Sequence, residues 1–392
     1  MVFTTILIDF VGFSLLIPVL PLFAERLGAS ALEIGWIVAL YAFAQLLFLP
    51  LWGWISDRIG RRPVILVSLL GTAVSFAVFA TADSIDVLYA ARALTGVFAA
   101  SIGVAQAVVT DLTPETERAS GMGLIGAAFG GSLVVGPAAG GVLAALHQQA
   151  PFYAIVILAG ANFVLAWLAL PESRPADLPR PPWRDLARTL VPTPLRLLAR
   201  VHDRRIALFL VLFFVFFAAF AVVEAMGTLY LNKRFGANEL EAALVFAWIG
   251  LFLVLTQAGP LRRLVDRLGE VRLLVIGFSL MAAGIAAVAW VPSYGWFFAI
   301  GPVIAIGNGL GFPSFTSLFT KACRAEEAGE LLGQSNSMAV TGRIVGAVGG
   351  GALMSAQFLG APFLASSALL ALGLGLFLVL RPRLLRGIER AR

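Results

Sequence analysis

Apolar runs follow one another along the whole chain, separated by short polar turns. Each is close to the roughly 20 helical residues that a hydrocarbon core of about 30 Å requires. Twelve can be read: 2–24, 33–55, 63–82, 86–110, 120–146, 151–171, 206–231, 240–261, 271–291, 295–320, 331–356 and 361–380. A membrane β-barrel would show segments of about ten residues alternating apolar and polar, whereas these runs are apolar throughout. The pattern predicts an all-α integral membrane protein with twelve transmembrane helices.

One long polar stretch interrupts the rhythm. "PESRPADLPRPPWRDLARTLVPTPLRLLARVHDRR", from Pro171 to Arg205, is rich in Pro and Arg and divides the spans six and six. The expected organisation is a six-helix half at 1–171, a linker at 172–205 and a second six-helix half at 206–392. Within the linker, Trp183 to Arg200 suits a basic amphipathic helix on an anionic lipid surface and equally a solvated connection. The halves repeat each other. Asp57-Arg58-Ile59-Gly60 recurs as Asp266-Arg267-Leu268-Gly269, "RLGAS" at Arg26 as "RFGAN" at Arg234, and "GPAAGGVL" at Gly136 as "GAVGGGAL" at Gly346. Two related halves around a midplane site are the architecture of a rocking secondary transporter.

Composition agrees with the pattern: 60% of residues are hydrophobic, 13% are charged, and mean hydropathy is +0.93. The net charge of +6 could suggest a nucleic-acid partner, but the placement of the basic residues removes that need. Arg58, Arg61, Arg62, Arg118, the run from Arg174 to Arg205, Arg262, Arg263, Arg267, Arg272, Lys321, Arg324 and the C-terminal Arg residues all fall in alternate turns or the tail. Such a bias marks the cytoplasmic side, so both termini are expected in the cytoplasm, in a bacterial cytoplasmic membrane. The lone Cys323 excludes an internal disulfide and reads as structural. The first run is too long, and lacks the charged start, for a cleaved signal peptide. Apolar sequence begins at Met1, so a few residues are expected to precede it.

With these features in place, the chain resembles the major facilitator superfamily, and within it the twelve-span drug:proton antiporters that include the tetracycline exporters. The loop after the second span carries the Gly-x-x-x-Asp-Arg-x-Gly-Arg-Arg pattern as Gly53, Asp57, Arg58, Gly60, Arg61 and Arg62. "DFVGFSLLIPVLP", "ALYAFAQLLFLP", "RALTG" and the antiporter-type "GPAAGG" extend the resemblance over most of residues 1–145. Two positions differ. Ser132 stands where the antiporter motif has an earlier glycine, a small-for-small exchange, and Ser75 stands where the tetracycline exporters carry an acid, so tetracycline itself is not the expected substrate.

The resemblance implies a cytoplasmic gate. Asp57 would dock on the helix start near Leu331, a favourable place for a carboxylate against the positive end of the dipole, and Arg61 would pair with Asp111. Asp266 and Arg267 form the second copy, where Glu270 replaces a basic residue and a weaker gate is expected. It also implies a tightly packed, kinked seam against the first span from Gly123, Gly136, Pro137, Gly140 and Gly141; small residues allow close approach and proline bends the helix. "GAVGGG" lacks the proline and carries less weight.

Four charges fall within spans, where each costs about 2.5–3.5 kcal/mol on insertion scales: Asp9, Arg92, Glu224 and Arg343. Glu224 and Arg343 are candidates for proton coupling and equally for a static buried ion pair, and Asp9, whose carboxyl desolvation would tend to protonate, is a proton-coupling candidate. By the resemblance Arg92 shares that task. Asp9 lies inward and Arg92 outward of their span centres, so a direct bond is not expected. The repeat places Glu224 and Arg343 on spans equivalent to the packed first and fifth, which predicts a Glu224–Arg343 pair. "FLVLFFVFFAAF" beside Glu224 suits lipophilic cations, although most of its rings are expected to face lipid. Gln45, Gln106, Asn308 and Gln334 are candidate polar groups of a substrate cavity.

These readings converge on a monomeric, proton-coupled exporter of lipophilic or cationic small molecules, with protons, substrate and the bilayer as its partners. Movement of a lipid-like amphiphile is the second transport reading, and a non-transporting receptor or assembly factor is the alternative of another class. No cofactor or metal is expected. The sequence shows no metal-ligand spacing, nucleophile elbow or Gly-x-x-x-x-Gly-Lys-Ser/Thr phosphate loop, which argues against an enzyme or ATP drive.

Overall fold

The computed structural model describes residues 2–112, 118–174, 182, 204–323, 328–355 and 358–384. The linker helix considered for Trp183–Arg200, together with Arg324 and the last tail arginines, lies outside the described residues. All regular structure among the described residues is helical. The first part of the chain forms α1 (Val2–Arg26), α2 (Ala31–Ile59), α3 (Arg61–Ala80), α4 (Ile85–Val97), α5 (Ser101–Leu112), α6 (Arg118–Leu146) and α7 (Ala150–Ala169). The second forms α8 (Arg204–Phe235), α9 (Glu239–Ala258), α10 (Leu261–Leu268), α11 (Glu270–Val288), α12 (Phe297–Ala322), α13 (Ala328–Met354) and α14 (Ala361–Leu384), with a 3-10 turn at Tyr294–Trp296. Among the described residues, eleven helices are long and apolar enough to cross a membrane, and the fourth expected span is divided between α4 and α5. The protein is a multi-pass membrane protein.

That division corrects the expectation of one helix over 86–110, and its cause is tertiary. Broken helices are tolerated at membrane depth when other groups satisfy the freed backbone. Ser68 of α3 does so here: its hydroxyl donates to the Phe98 carbonyl and accepts from the amides of Ala100 at 3.3 Å and Ser101 at 3.1 Å. Trp52 Nε1 of α2 donates to the Val97 carbonyl at 2.6 Å. The Phe98 ring packs on Gly71, where a Cβ would overlap it. The break is therefore held from two neighbouring helices.

The chain packs as two compact units: Met1–Ala29 with Leu40–Pro192 and Asn238–Ala247, and Ser30–Ala39 with Thr193–Ala237 and Trp248–Arg392. In the first unit, α6 lies directly on α1. A Cβ at Gly136 would strike Ser14 Oγ, and one at Gly140 the Leu15 carbonyl, so only glycine permits this approach. Ser14 Oγ donates to the Ser132 carbonyl at 2.7 Å across the seam. In the second unit α13 meets α8 in the same way, with Gly342 on the Phe214 carbonyl and Gly346 on that of Ala218. The seam without proline is as close as the one with it.

The phenylalanines of α8 depart from the lipid-facing expectation. Phe209, Phe213 and Phe216 are buried. Phe213 lies 4.6 Å from the Phe315 ring, and Phe216 stacks on Phe312 at 5.0 Å and on Phe278 at 5.3 Å. Rings supplied by α11 and α12 give these side chains partners better than lipid, and the cluster forms the core of the second unit.

Candidate functional site

Asp9 lies on α1, and Ser101, the first residue of α5, donates its hydroxyl to Asp9 Oδ2. The helix break thus points the positive end of α5 toward this carboxylate, a favourable arrangement. Asp9 and Arg92 line one cavity of about 50 Å³, together with Tyr41, Thr72, Thr95 and Asn162. The Arg92 guanidinium sits 4.6 Å above the Tyr41 ring, within cation–π range. The structure thus brings Asp9 and Arg92 to the wall of the same cavity. Ser75 donates to its own helix at the Gly71 carbonyl, 2.6 Å away.

In the second unit Arg343 Nη2 donates to both Glu224 oxygens, at 3.0 Å and 3.2 Å. Both side chains are largely buried, 24% and 13% exposed, and so the two charges spare each other an unpaired existence in the apolar interior. Of the cavity candidates, Gln45 and Gln106 belong to the first unit, and Asn308 and Gln334 to the second. Gln45 Nε2 donates to the Tyr41 hydroxyl at 3.4 Å, Gln106 is exposed and Gln334 is buried.

The motif between α2 and α3 is built around Arg61, which is 8% exposed. Its Nε meets Asp111 Oδ2 at 3.0 Å, and its Nη1 reaches Ser56 Oγ at 2.8 Å and Asp57 Oδ1. Arg58 lies over Trp54 at 5.7 Å. Arg62 Nη2 donates to the Trp167 carbonyl at 2.5 Å. Sequence reading overlooked Glu172, whose carboxylate accepts the amides of Arg61 at 2.8 Å and Arg62 at 3.2 Å and so caps α3. Gly60, with φ 114° and ψ 161°, adopts a backbone open essentially to glycine alone, and a Cβ there would also collide with Glu172.

The second copy is arranged differently. Asp266 and Arg267 are exposed on the short α10, separated from α9 by Gly259-Pro260. Glu270 does not simply remove a gate contact, as its sequence suggested. It accepts from Lys321 Nζ at 2.6 Å and from Ser317 Oγ at 2.6 Å, so the second copy keeps an ion pair of reversed sign.

Of the antiporter-motif residues, Gly136 and Gly140 face α1, as described above, whereas Gly141 faces Ala243 and Leu240 of α9 within the first unit. Pro137 lies inside α6, and Gly123 is on the same helix. Arg26 and Glu239 pair at the same end of that unit. Asn162 and Ser101 were also missed. The available signal for Asn162 was a single amide in the middle of an apolar span.

The fold and its paired motifs define a membrane transporter built from repeated helical halves. The chain belongs to the Major Facilitator Superfamily, whose sequence profile matches residues 2–347 and 258–391. It is 30% identical to the class C tetracycline resistance protein of Escherichia coli, over 98% of this chain and 95% of that one. It is 32% identical to the class G protein of Vibrio anguillarum, over 89% and 88%, and 28% identical to multidrug resistance protein 1 of Bacillus subtilis strain 168, over 95% and 93%. The crystal structure of the human organic anion transporter MFSD10 (TETRAN) superposes with a TM-score of 0.73 at 25% identity, covering 96% of this chain and 97% of that one. As a member of this family the chain is a transporter and not an enzyme.

Proposed function

We propose that the protein exports lipophilic or cationic small molecules in exchange for protons by alternating access. The observation that carries this reading is Asp9, a carboxylate within a span that lines a small, mostly apolar cavity together with Arg92. A carboxylate so placed is suited to neutralisation by a proton on one side and release on the other. The driving force suffices: an entering proton gains about 2.3 kcal/mol per 100 mV, against about 1.4 kcal/mol for each tenfold gradient of a neutral solute. Similarity to tetracycline and multidrug resistance proteins supports the substrate class. In this reading the Asp57–Arg61–Asp111 cluster is the cytoplasmic gate, the α1–α6 seam prevents leak, and Glu224–Arg343 is the charged pair of the second half.

The test is transport by purified protein in proteoliposomes, against a panel of lipophilic cations, neutral lipophiles and single-chain amphiphiles, with and without a pH gradient. Accumulation of a cation or neutral lipophile that collapses with a protonophore is expected. Transport confined to amphiphiles and indifferent to the gradient would favour lipid movement and overturn the reading.

A further inference from the structure

Asn162 is 1% exposed and Thr5 is 3% exposed. The Asn162 amide donates through Nδ2 to the Thr5 carbonyl at 2.9 Å. A carbonyl can only accept, which fixes the amide's orientation and turns Oδ1 away as an acceptor. Neither Asn162 Oδ1 nor Thr5 Oγ1 has a hydrogen-bond partner among the described residues. Buried polar groups are ordinarily satisfied by protein or by ordered water, so two adjacent exceptions call for an explanation. Their placement supplies one. Asn162 lines the cavity that contains Asp9. Thr5 lies on α1 one helical turn before Asp9, about 4.5 Å of helix rise from Val2, the first residue of α1.

We infer that Asn162 and Thr5 hold water molecules that carry the Asp9 proton between the cavity and the near end of α1, a route lying within the first half of the protein. The inference rests on the reading of Asp9 as the coupling carboxylate. A site for water needs space for at least one molecule and two to four polar partners; the cavity of about 50 Å³ with Asp9, Thr95 and Asn162 on its wall meets both requirements. In the transfer step the Asp9 O–H bond breaks as an O–H bond forms to the water held by Asn162 Oδ1. Asp9 is left as carboxylate, and the positive charge passes as hydronium, through water at the Thr5 hydroxyl, to the aqueous phase. Asn162 and Thr5 keep their own hydrogens and act as positioning residues. The charged groups on the cavity are Asp9 of α1 and Arg92 of α4. Its other titratable group is Tyr41 of α2, while α3 and α7 contribute Thr72 and Asn162.

Infrared difference spectroscopy of the protein in bilayers after a pH step reads this directly, without a transported substrate. The Asp9 carboxyl band is identified by its loss in Asp9→Asn. Asn162→Leu and the nearly isosteric Thr5→Val should each slow the appearance of that band by about ten-fold, the change expected from losing one hydrogen bond along the path. The double variant should be no slower than the slower single variant, because both act on one route. Protonation as fast as in the wild type in either folded variant overturns the relay. Should Asn162→Leu fail to fold, Thr5→Val decides alone. A wild-type protein with no Asp9 band responsive to pH would retire the Asp9 reading itself, a result distinct from a fast band in the variants.

Discussion

The two copies of the loop motif share a backbone and differ in their charges. Gly60 and Gly269 both take the glycine-restricted conformation, at φ 114° and φ 77°, and each begins the third long helix of its half. After Gly60 comes Arg61, a cation at a helix start, where the dipole disfavours it. Glu172 then supplies the negative charge from beyond the end of α7, and Asp111 near the end of α5 completes the ion pair. After Gly269 comes Glu270, which itself places negative charge at the start of α11 and pairs with Lys321 at the end of α12. What the repeat retains is a charged tie between the start of one helix and the end of the next. The sign is free to reverse, and the copy with the unfavourable sign recruits a third group.

That comparison ranks the substitutions. Arg61→Met leaves Asp111 without its partner at a mostly buried site, and breaking such a pair costs about 3–5 kcal/mol; a thermal melt in detergent should show the largest loss of the set. Adding Asp111→Leu should recover much of it. Gly60→Ala comes next: backbone strain of about 1–3 kcal/mol adds to displacement of Glu172, whereas Gly269→Ala meets the strain alone, since nothing lies within 4 Å of its Cβ. Equal losses at the two glycines would break the comparison. Glu172→Gln should destabilise by about 2 kcal/mol, the scale of hydrogen bonds to a charged group. The smallest effect belongs to Glu270 and Lys321. Lys321 is 43% exposed, and exposed pairs contribute about 0–1 kcal/mol, so Glu270→Gln should shift the melt only slightly, and exchanging the two charges should restore it.

Much of this was legible along the chain. Runs of apolar residues located the helices, and Gly60 and Gly269 stood at the turns. The insertion cost of a lone charge, joined to the repeat, brought Glu224 and Arg343 together before any coordinates. The break at Phe98 was not legible, because 97–100 is as apolar as its surroundings; the groups that stabilise it, Ser68 and Trp52, sit on other helices. Glu172 read as an ordinary polar residue following a span, since capping from more than a hundred positions away leaves no local pattern. The α8 phenylalanines read as lipid-facing because composition cannot distinguish lipid from a wall of other rings. Glu270 read as a loss because its partner, Lys321, lies some fifty residues on.

Asp9 is the residue on which the proposed coupling of proton movement to export depends most. Asp9→Asn protein in proteoliposomes, loaded with a compound that the wild type transports, separates coupling from passage. Uptake driven by a pH gradient should disappear while counterflow exchange of the compound, which needs no net proton movement, continues at the wild-type rate. Gradient-driven uptake at the wild-type rate in that variant would make Asp9 structural and remove its coupling role.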